Sequence, residues 1–193
     1  MKNRVLLTLF EKPQTVFTLG EVALLFGDVS YDNLKQQMAY YVKQGAIKKL
    51  RRGVYAKKSY NVLELANKLY SPSYISLETV LAREGVIFQY YGGIYAVSYL
   101  SRTVKVDGNE IVYRKIKNEI LVNKAGIREG DWVMTATLER AFLDAVFLFK
   151  DYHFDNLRPL NWDKIGEIRK IYGSKIFNRR VDEYYQIYKE EHA

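Results

Sequence analysis

The chain has 193 residues, 48% of them hydrophobic and 15% aromatic, so it has enough apolar surface to fold as one large or two small domains. It carries a net charge of +8 and no cysteine, which excludes disulfides, thiolate metal ligands and a cysteine nucleophile. Its N-terminal apolar run is too short for a signal peptide and no stretch approaches the roughly 18 apolar residues of a membrane span, so we expect a cytoplasmic protein.

The positive charge is concentrated in the first third of the chain. Residues 1–60 contain 11 Lys/Arg and 4 Asp/Glu, a net charge of +7, whereas residues 61–193 contain 19 and 18, a net charge of +1. A local positive field attracts polyanions, and the phosphate backbone of nucleic acid is the commonest one in cells. The asymmetry predicts two domains with different tasks, at residues 1–60 and 61–193.

Three short helices are predicted in the first 45 residues. The first covers residues 3–11 and is closed by Pro13. Thr18 and Glu21 are three positions apart before an apolar run, the spacing of a capping box at the start of a second helix. The third helix covers residues 30–44, with a serine as its cap and a glycine after its end.

The third helix has two distinct faces. Leu34, Met38, Tyr41 and Val42 fall on one side at helical spacing. The other side carries the candidate DNA-binding residues Asn33, Gln36, Tyr40 and Lys43, with Gln37 at its edge. Asn and Gln can pair with adenine edges in the major groove. Any single one of them is equally well explained as an ordinary surface residue.

The sequence KKLRRGVYAKK, residues 48–58, predicts a basic hairpin that turns near Gly53. The alternation of apolar residues is imperfect, which leaves the turn type and any bulge open. Helix, helix, helix and basic hairpin is the order of a winged helix-turn-helix. We expect four hairpin residues to contact phosphates or the adjacent minor groove: Lys48, Lys49, Arg51 and Arg52. The alternative is a solvated run of surface charge.

The rest of the chain predicts a mixed domain. Two helices follow, the first ending before Pro72 and the second capped by Ser76. Residues 94–122 have the composition of strands, including EILVN near the end, and Asp107-Gly108 is a strong hairpin signal. Thr137 caps a buried helix, and the last forty residues are helical. The fold class is therefore α+β: an N-terminal winged helix followed by a mixed α/β domain with a small antiparallel sheet and flanking helices.

The sequence offers little for catalysis. The two histidines, His153 and His192, have no partner at metal-ligand spacing, and no glycine-rich phosphate loop is present. Asp107, Glu110 and Lys115 are the nearest approach to a nuclease-like cluster, but a hairpin turn explains the aspartate more simply. We expect no enzyme activity, no metal and no cofactor.

Three segments are similar to a known family: RRGVYAKK at residues 51–58, LANKLYSPSYISLETVLAREGVI at residues 65–87, and ATLERAFLDAV at residues 136–146. They resemble the AbiEi-type antitoxins of abortive infection, the transcriptional regulators of type IV toxin–antitoxin systems. The likeness extends over roughly residues 5–150, and residues 72–78 are its most specific part.

The resemblance implies a winged helix that binds operator DNA and represses its own operon. It also implies a second domain with antitoxin activity against a nucleotidyltransferase-like toxin encoded next to it. No antitoxin residue can be carried over by position. We expect a monomer, or a dimer on inverted repeats. A free-standing regulator, an interaction module without a toxin, and more remotely a nuclease fused to a winged helix stay open as alternatives.

Overall fold

The computed structural model describes residues 4–89 and 92–191. The first part of the chain forms helices and a small antiparallel sheet. Its elements are, in order, α1 (Arg4–Glu11), β1 (Val16–Thr18), α2 (Leu19–Leu25), α3 (Tyr31–Lys43), β2 (Lys48–Arg51) and β3 (Val54–Ala56). The three strands pair in the order β1-β3-β2. The three predicted helices and the predicted hairpin are therefore present.

Local side-chain bonds start the second and third helices as expected. The Thr18 hydroxyl accepts a bond from the Glu21 amide (3.1 Å), and the Glu21 carboxylate accepts one from the Thr18 amide (2.7 Å). This is the predicted capping box. Ser30 caps α3 by accepting from the amide of Asn33 at 3.4 Å. These bonds satisfy amides that have no partner within the helix.

A bulge explains the imperfect alternation of the hairpin. The pairing of β2 with β3 shifts between Lys49 and Arg51, so Leu50 is the extra residue of β2. Leu50 is half-buried, and the turn passes through Gly53 at φ +75°. The positive φ is one that glycine adopts without steric cost.

The second part of the chain contains helices and a larger sheet. Its elements are α4 (Val62–Leu69), β4 (Ser73–Ile75), α5 (Glu78–Arg83), β5 (Ile94–Ser98), β6 (Arg102–Val106), β7 (Asn109–Lys115), α6 (Asn118–Leu121), β8 (Ile127–Gly130), β9 (Val133–Ala136), α7 (Leu138–Leu148), α8 (Trp162–Ile168), a 3₁₀ helix (Arg169–Tyr172) and α9 (Lys175–Glu191). Six strands pair in the order β6-β7-β5-β4-β9-β8.

This sheet differs from the small antiparallel one predicted. It is mixed, because β4 runs parallel to β9 and β5 parallel to β7. The predicted hairpin at Asp107-Gly108 joins β6 to β7, and Thr137 caps α7, as expected. The chain is thus a mixed α+β protein, with a small antiparallel sheet and a larger mixed one.

Two local predictions were wrong. EILVN contributes helix α6 instead of a strand, because a helix buries Ile120 and Leu121 together. Ser76 does not cap α5, whose first residue follows Leu77 at φ +54°. The Ser76 hydroxyl instead donates to the buried carboxylate of Asp144 at 2.8 Å.

The small sheet lies between two clusters of buried side chains. Phe17 and Tyr55 pack in a cluster made only by the first part of the chain. Val16, Val54 and Ala56 pack in the other cluster, whose remaining members come from the second part. Strand alternation thus connects the two parts. The domain division at residue 60 stays a prediction.

None of the helices formed by residues 4–89 and 92–191 has the length and hydropathy needed to cross a bilayer.

Candidate nucleic-acid interface

Helix α3 presents a polar stripe to solvent. Asn33, Gln36, Tyr40 and Lys43 are exposed, the tyrosine to 56%. Their spacing of three, four and three residues places them along one face over about 15 Å. The opposite face of α3 is buried in the first cluster. The polar stripe therefore lies on a helix whose opposite face is packed in the core.

Gln37 differs from the other residues of the predicted set. It is half-buried, and its side-chain amide donates to the Asn33 oxygen (3.2 Å). Its own oxygen accepts from the Tyr41 hydroxyl at 3.4 Å. Gln37 therefore positions Asn33, and it would have to give up two bonds to contact a base itself.

Lys48 is held by the second part of the chain. Its ammonium group lies 2.9 Å from the carboxylate of Asp107 and 5.5 Å from the centre of the Tyr60 ring. The Tyr60 hydroxyl donates to the same Asp107 oxygen at 2.8 Å. The bond from Lys48, followed by that from Tyr60, lowers the pKa of Asp107. Asp107 is therefore ionised at neutral pH, and its carboxylate is the acidic partner of Lys48.

Arg51 is also held. Its guanidinium donates to the Tyr70 hydroxyl at 3.0 Å and lies 5.6 Å from the centre of that ring. Arg102 donates to the same hydroxyl at 3.1 Å. The bond from Arg102, ahead of that from Arg51, lowers the pKa of Tyr70. Tyr70 thus joins the hairpin to strand β6.

Lys49 and Arg52 are free by comparison. Both side chains are exposed, and neither forms an ion pair, hydrogen bond or cation–π contact with another residue of the described ranges 4–89 and 92–191. The four predicted phosphate contacts therefore divide into two tethered residues and two available ones.

The tethering residues were not found from the sequence. Tyr60 and Tyr70 carry no local signal that distinguishes them among 17 tyrosines. Asp107 was identified as a turn residue, and it has φ +50° in that turn. Its contact with a hairpin 59 residues earlier depends on how the large sheet is placed. Only the tertiary structure supplies that information.

The remote nuclease hypothesis gains nothing from the geometry. Glu110 pairs with Lys105 at 3.4 Å, and Asp107 pairs with Lys48. Lys115 lies five residues further along β7, about 17 Å from Glu110. No group of three or more His, Cys, Asp or Glu residues within the described chain is arranged to hold a metal ion. His153 is exposed beside Asp155, and His192 lies outside the described residues.

A buried polar network was also missed by sequence reasoning. Asp144 is fully buried and accepts bonds from Ser76 (2.8 Å), Tyr172 (2.8 Å), Tyr74 (3.2 Å) and Arg140 (3.2 Å). Burial raises the pKa of Asp144, and Arg140, Tyr172 and Ser76 oppose that rise. The network joins β4, the following loop, α7 and the 3₁₀ helix.

Arg140 extends this network to a helix end. Its guanidinium donates to the backbone oxygens of Ile120 (2.7 Å), Asn123 (3.3 Å) and Ala125 (2.8 Å). These carbonyls lie at or just after the C-terminal end of α6, and that of Ile120 also accepts from the backbone amide of Asn123 at 3.2 Å. Residues 72–78, part of the segment quoted above at 65–87, therefore meet the segment at 136–146 here and stabilise the fold.

No protein-family model matches the chain, and comparison with curated proteins gives no match.

Proposed function

We propose that residues 4–60 form a winged helix-turn-helix that binds double-stranded DNA, and that the protein is a transcriptional regulator. The carrying observation is the exposed stripe of α3, which is followed in the chain by a hairpin whose Lys49 and Arg52 side chains have no partner among the residues that the structure describes. Asn33 and Gln36 supply groups suited to base edges, while Lys49 and Arg52 supply charges for phosphates. An α-helix fits the B-DNA major groove, which is about 12 Å wide.

Helix α3 and the basic hairpin are expected to contact different parts of the duplex. In the proposed complex α3 enters the major groove, and the hairpin contacts the flanking backbone or minor groove. Regulation follows from occupancy, because a protein bound over a promoter excludes polymerase. No catalytic group is required for this function.

A selection experiment tests the proposal. The full chain is incubated with a pool of random DNA duplexes, and bound sequences are enriched over several rounds. We expect one motif to emerge and to occur upstream of the protein's own reading frame, where the chain represses a reporter gene. Enrichment of no motif, together with no repression, would refute sequence-specific regulation.

The resemblance to AbiEi-type antitoxins extends the proposal to neutralisation of a nucleotidyltransferase-like toxin. This extension is supported by the resemblance alone. Co-expression with a neighbouring nucleotidyltransferase-like gene tests it: the full chain should restore growth. Failure to restore growth while the reporter stays repressed would leave a free-standing DNA-binding regulator.

A further inference from the structure

A cleft of about 570 Å³ opens between the two parts of the chain. Its wall is formed by the start of α2, the end of α4, the loop before β4, the end of α6 and the β8–β9 hairpin. Its volume lies within the range of small-molecule sites, roughly 300–1,000 Å³. The binding proposal for DNA uses none of its lining residues.

The cleft combines an apolar lining with an exposed aromatic ring. Leu121, Ile127 and Met134 supply aliphatic and thioether surface. Trp132 also lines the cleft, and 49% of its surface is still exposed. A half-exposed indole offers a face on which a planar ring can stack.

Trp132 occupies an unfavourable backbone position. Asp131 and Trp132 form the two-residue turn between β8 and β9. The φ value is +48° at Asp131 and +63° at Trp132. Such turns favour asparagine and glycine, because a Cβ is crowded at positive φ. A bulky residue in this conformation indicates that the indole is placed here for a reason other than turn stability.

The charged groups of the cleft favour an anion. Lys68 and Lys124 both line it, against the single carboxylate of Glu21. That carboxylate is already engaged, because it accepts from the amide and hydroxyl of Thr18 and pairs with Lys68. Lys124 is exposed, and within the described residues it has no acidic partner. The two lysines of the cleft therefore carry one more charge than the carboxylate of Glu21 balances.

We propose that this cleft binds a small planar aromatic anion, with its ring on Trp132 and its carboxylate or phosphate at Lys124. The apolar lining excludes a highly charged polyanion, and the volume suits a molecule of one or two ring systems. This site is independent of the DNA-binding surface, so either proposal can fail without the other.

Tryptophan fluorescence gives a direct assay. The chain has two tryptophans, and Trp162 is replaced by phenylalanine so that Trp132 alone reports. The probes are benzoate and adenosine monophosphate, with benzamide and adenosine as neutral counterparts and acetate as an anion without a ring. We expect saturable quenching by at least one aromatic anion, at least tenfold tighter than its neutral counterpart and than acetate. Equal affinity for charged and neutral probes, or no saturation by either anion, would overturn the proposal.

Substitutions then assign the contacts, with binding measured by calorimetry. Lys124→Met should weaken binding of the anion about tenfold. Lys164 is an exposed lysine on α8, and Lys164→Met should leave binding unchanged. Trp132→Gly suits the positive φ and should fold, yet it should remove the preference for aromatic anions over acetate. Unchanged binding in either the Lys124 or the Trp132 variant would contradict the proposed site, as would an equal loss in Lys164→Met.

Discussion

At the scale of single residues, neighbouring side chains of the same type have different surroundings. Arg51 and Arg52 are adjacent, but only Arg51 is bound to Tyr70. Gln36 and Gln37 are adjacent, but only Gln37 is bound on both sides. Composition treats each pair as equivalent, whereas in the structure Arg51 and Gln37 are held by neighbouring side chains. The proposed DNA contacts are therefore expected from Arg52 and Gln36.

The arginine pair gives the first prediction. Arg52→Ala should reduce affinity for specific and random DNA alike and lower the salt slope by about 1, because one phosphate contact is lost. Arg51→Ala should have a smaller effect, since Arg51 exchanges an existing bond for a phosphate. Fluorescence anisotropy over a range of salt concentrations measures both. An equal or larger loss for Arg51→Ala would contradict this assignment.

The glutamine pair gives the second prediction. Gln36→Ala should cost about 1–3 kcal/mol of binding free energy on the preferred duplex and change the preferred base at one position, if Gln36 makes a bidentate contact. Gln44→Ala, an exposed glutamine just beyond the end of α3, is the control and should leave both unchanged. An unaltered base preference in Gln36→Ala would remove Gln36 from the contact set.

At the scale of elements, the start of α2 connects helix capping to the rest of the molecule. Burial raises the pKa of Glu21, but the bonds from Lys68 and Thr18 outweigh it, so the pKa lies below the usual value of 4.5. The folded state therefore binds this proton less well than the unfolded chain does. The resulting stabilisation is present above pH 4.5 and is lost as the pH falls through the lowered folded-state pKa.

Glu21→Gln should remove this pH-dependent part of the stability. At pH 7 we expect a loss of about 0.5–1 kcal/mol in the free energy of unfolding, because glutamine can keep the bond to the Thr18 amide but not the partly exposed ion pair with Lys68. The difference from the unsubstituted protein should shrink between pH 5 and pH 3 in urea denaturation. Glu11→Gln, an exposed carboxylate at the end of α1, should show no such trend. A difference that stays constant with pH would show that ionised Glu21 does not stabilise α2.

How far the sequence predicts the structure also depends on the element. The capping box, the third helix and the basic hairpin were predicted because their signals are local: polar caps, a glycine and helical periodicity. Strand β4 and helix α6 were not predicted, because a short apolar run such as EILVN is compatible with either a helix or a strand. Ser76 was misassigned because its partner Asp144 lies 68 residues away. The exposed α3 residues were found for the same local reason, whereas the tethers on Lys48 and Arg51 were not.

At the scale of the whole molecule, the hairpin turn of the large sheet restrains the basic hairpin of the small one. Asp107 neutralises Lys48 and competes with any phosphate for it. Asp107→Asn should therefore raise DNA affinity several-fold and increase the salt slope, because Lys48 becomes available.

A matched substitution in the same hairpin controls for the change in net charge. Glu110→Gln also removes one negative charge, but Glu110 pairs with Lys105 and not with the basic hairpin. We expect a smaller gain in affinity for Glu110→Gln than for Asp107→Asn. Equal gains would mean that overall charge, and not release of Lys48, controls binding.

The most direct test of DNA binding is the salt dependence of affinity for the full chain and for one double variant. We predict that log K falls linearly with log[salt] and that Lys49→Ala with Arg52→Ala reduces the slope by about 1.8, the value for two lost phosphate contacts. Lys164→Ala with Lys170→Ala removes the same charge from exposed positions of the second part and should leave the slope unchanged. Absence of salt-dependent binding, or equal slopes for the two double variants, would contradict the proposed interface.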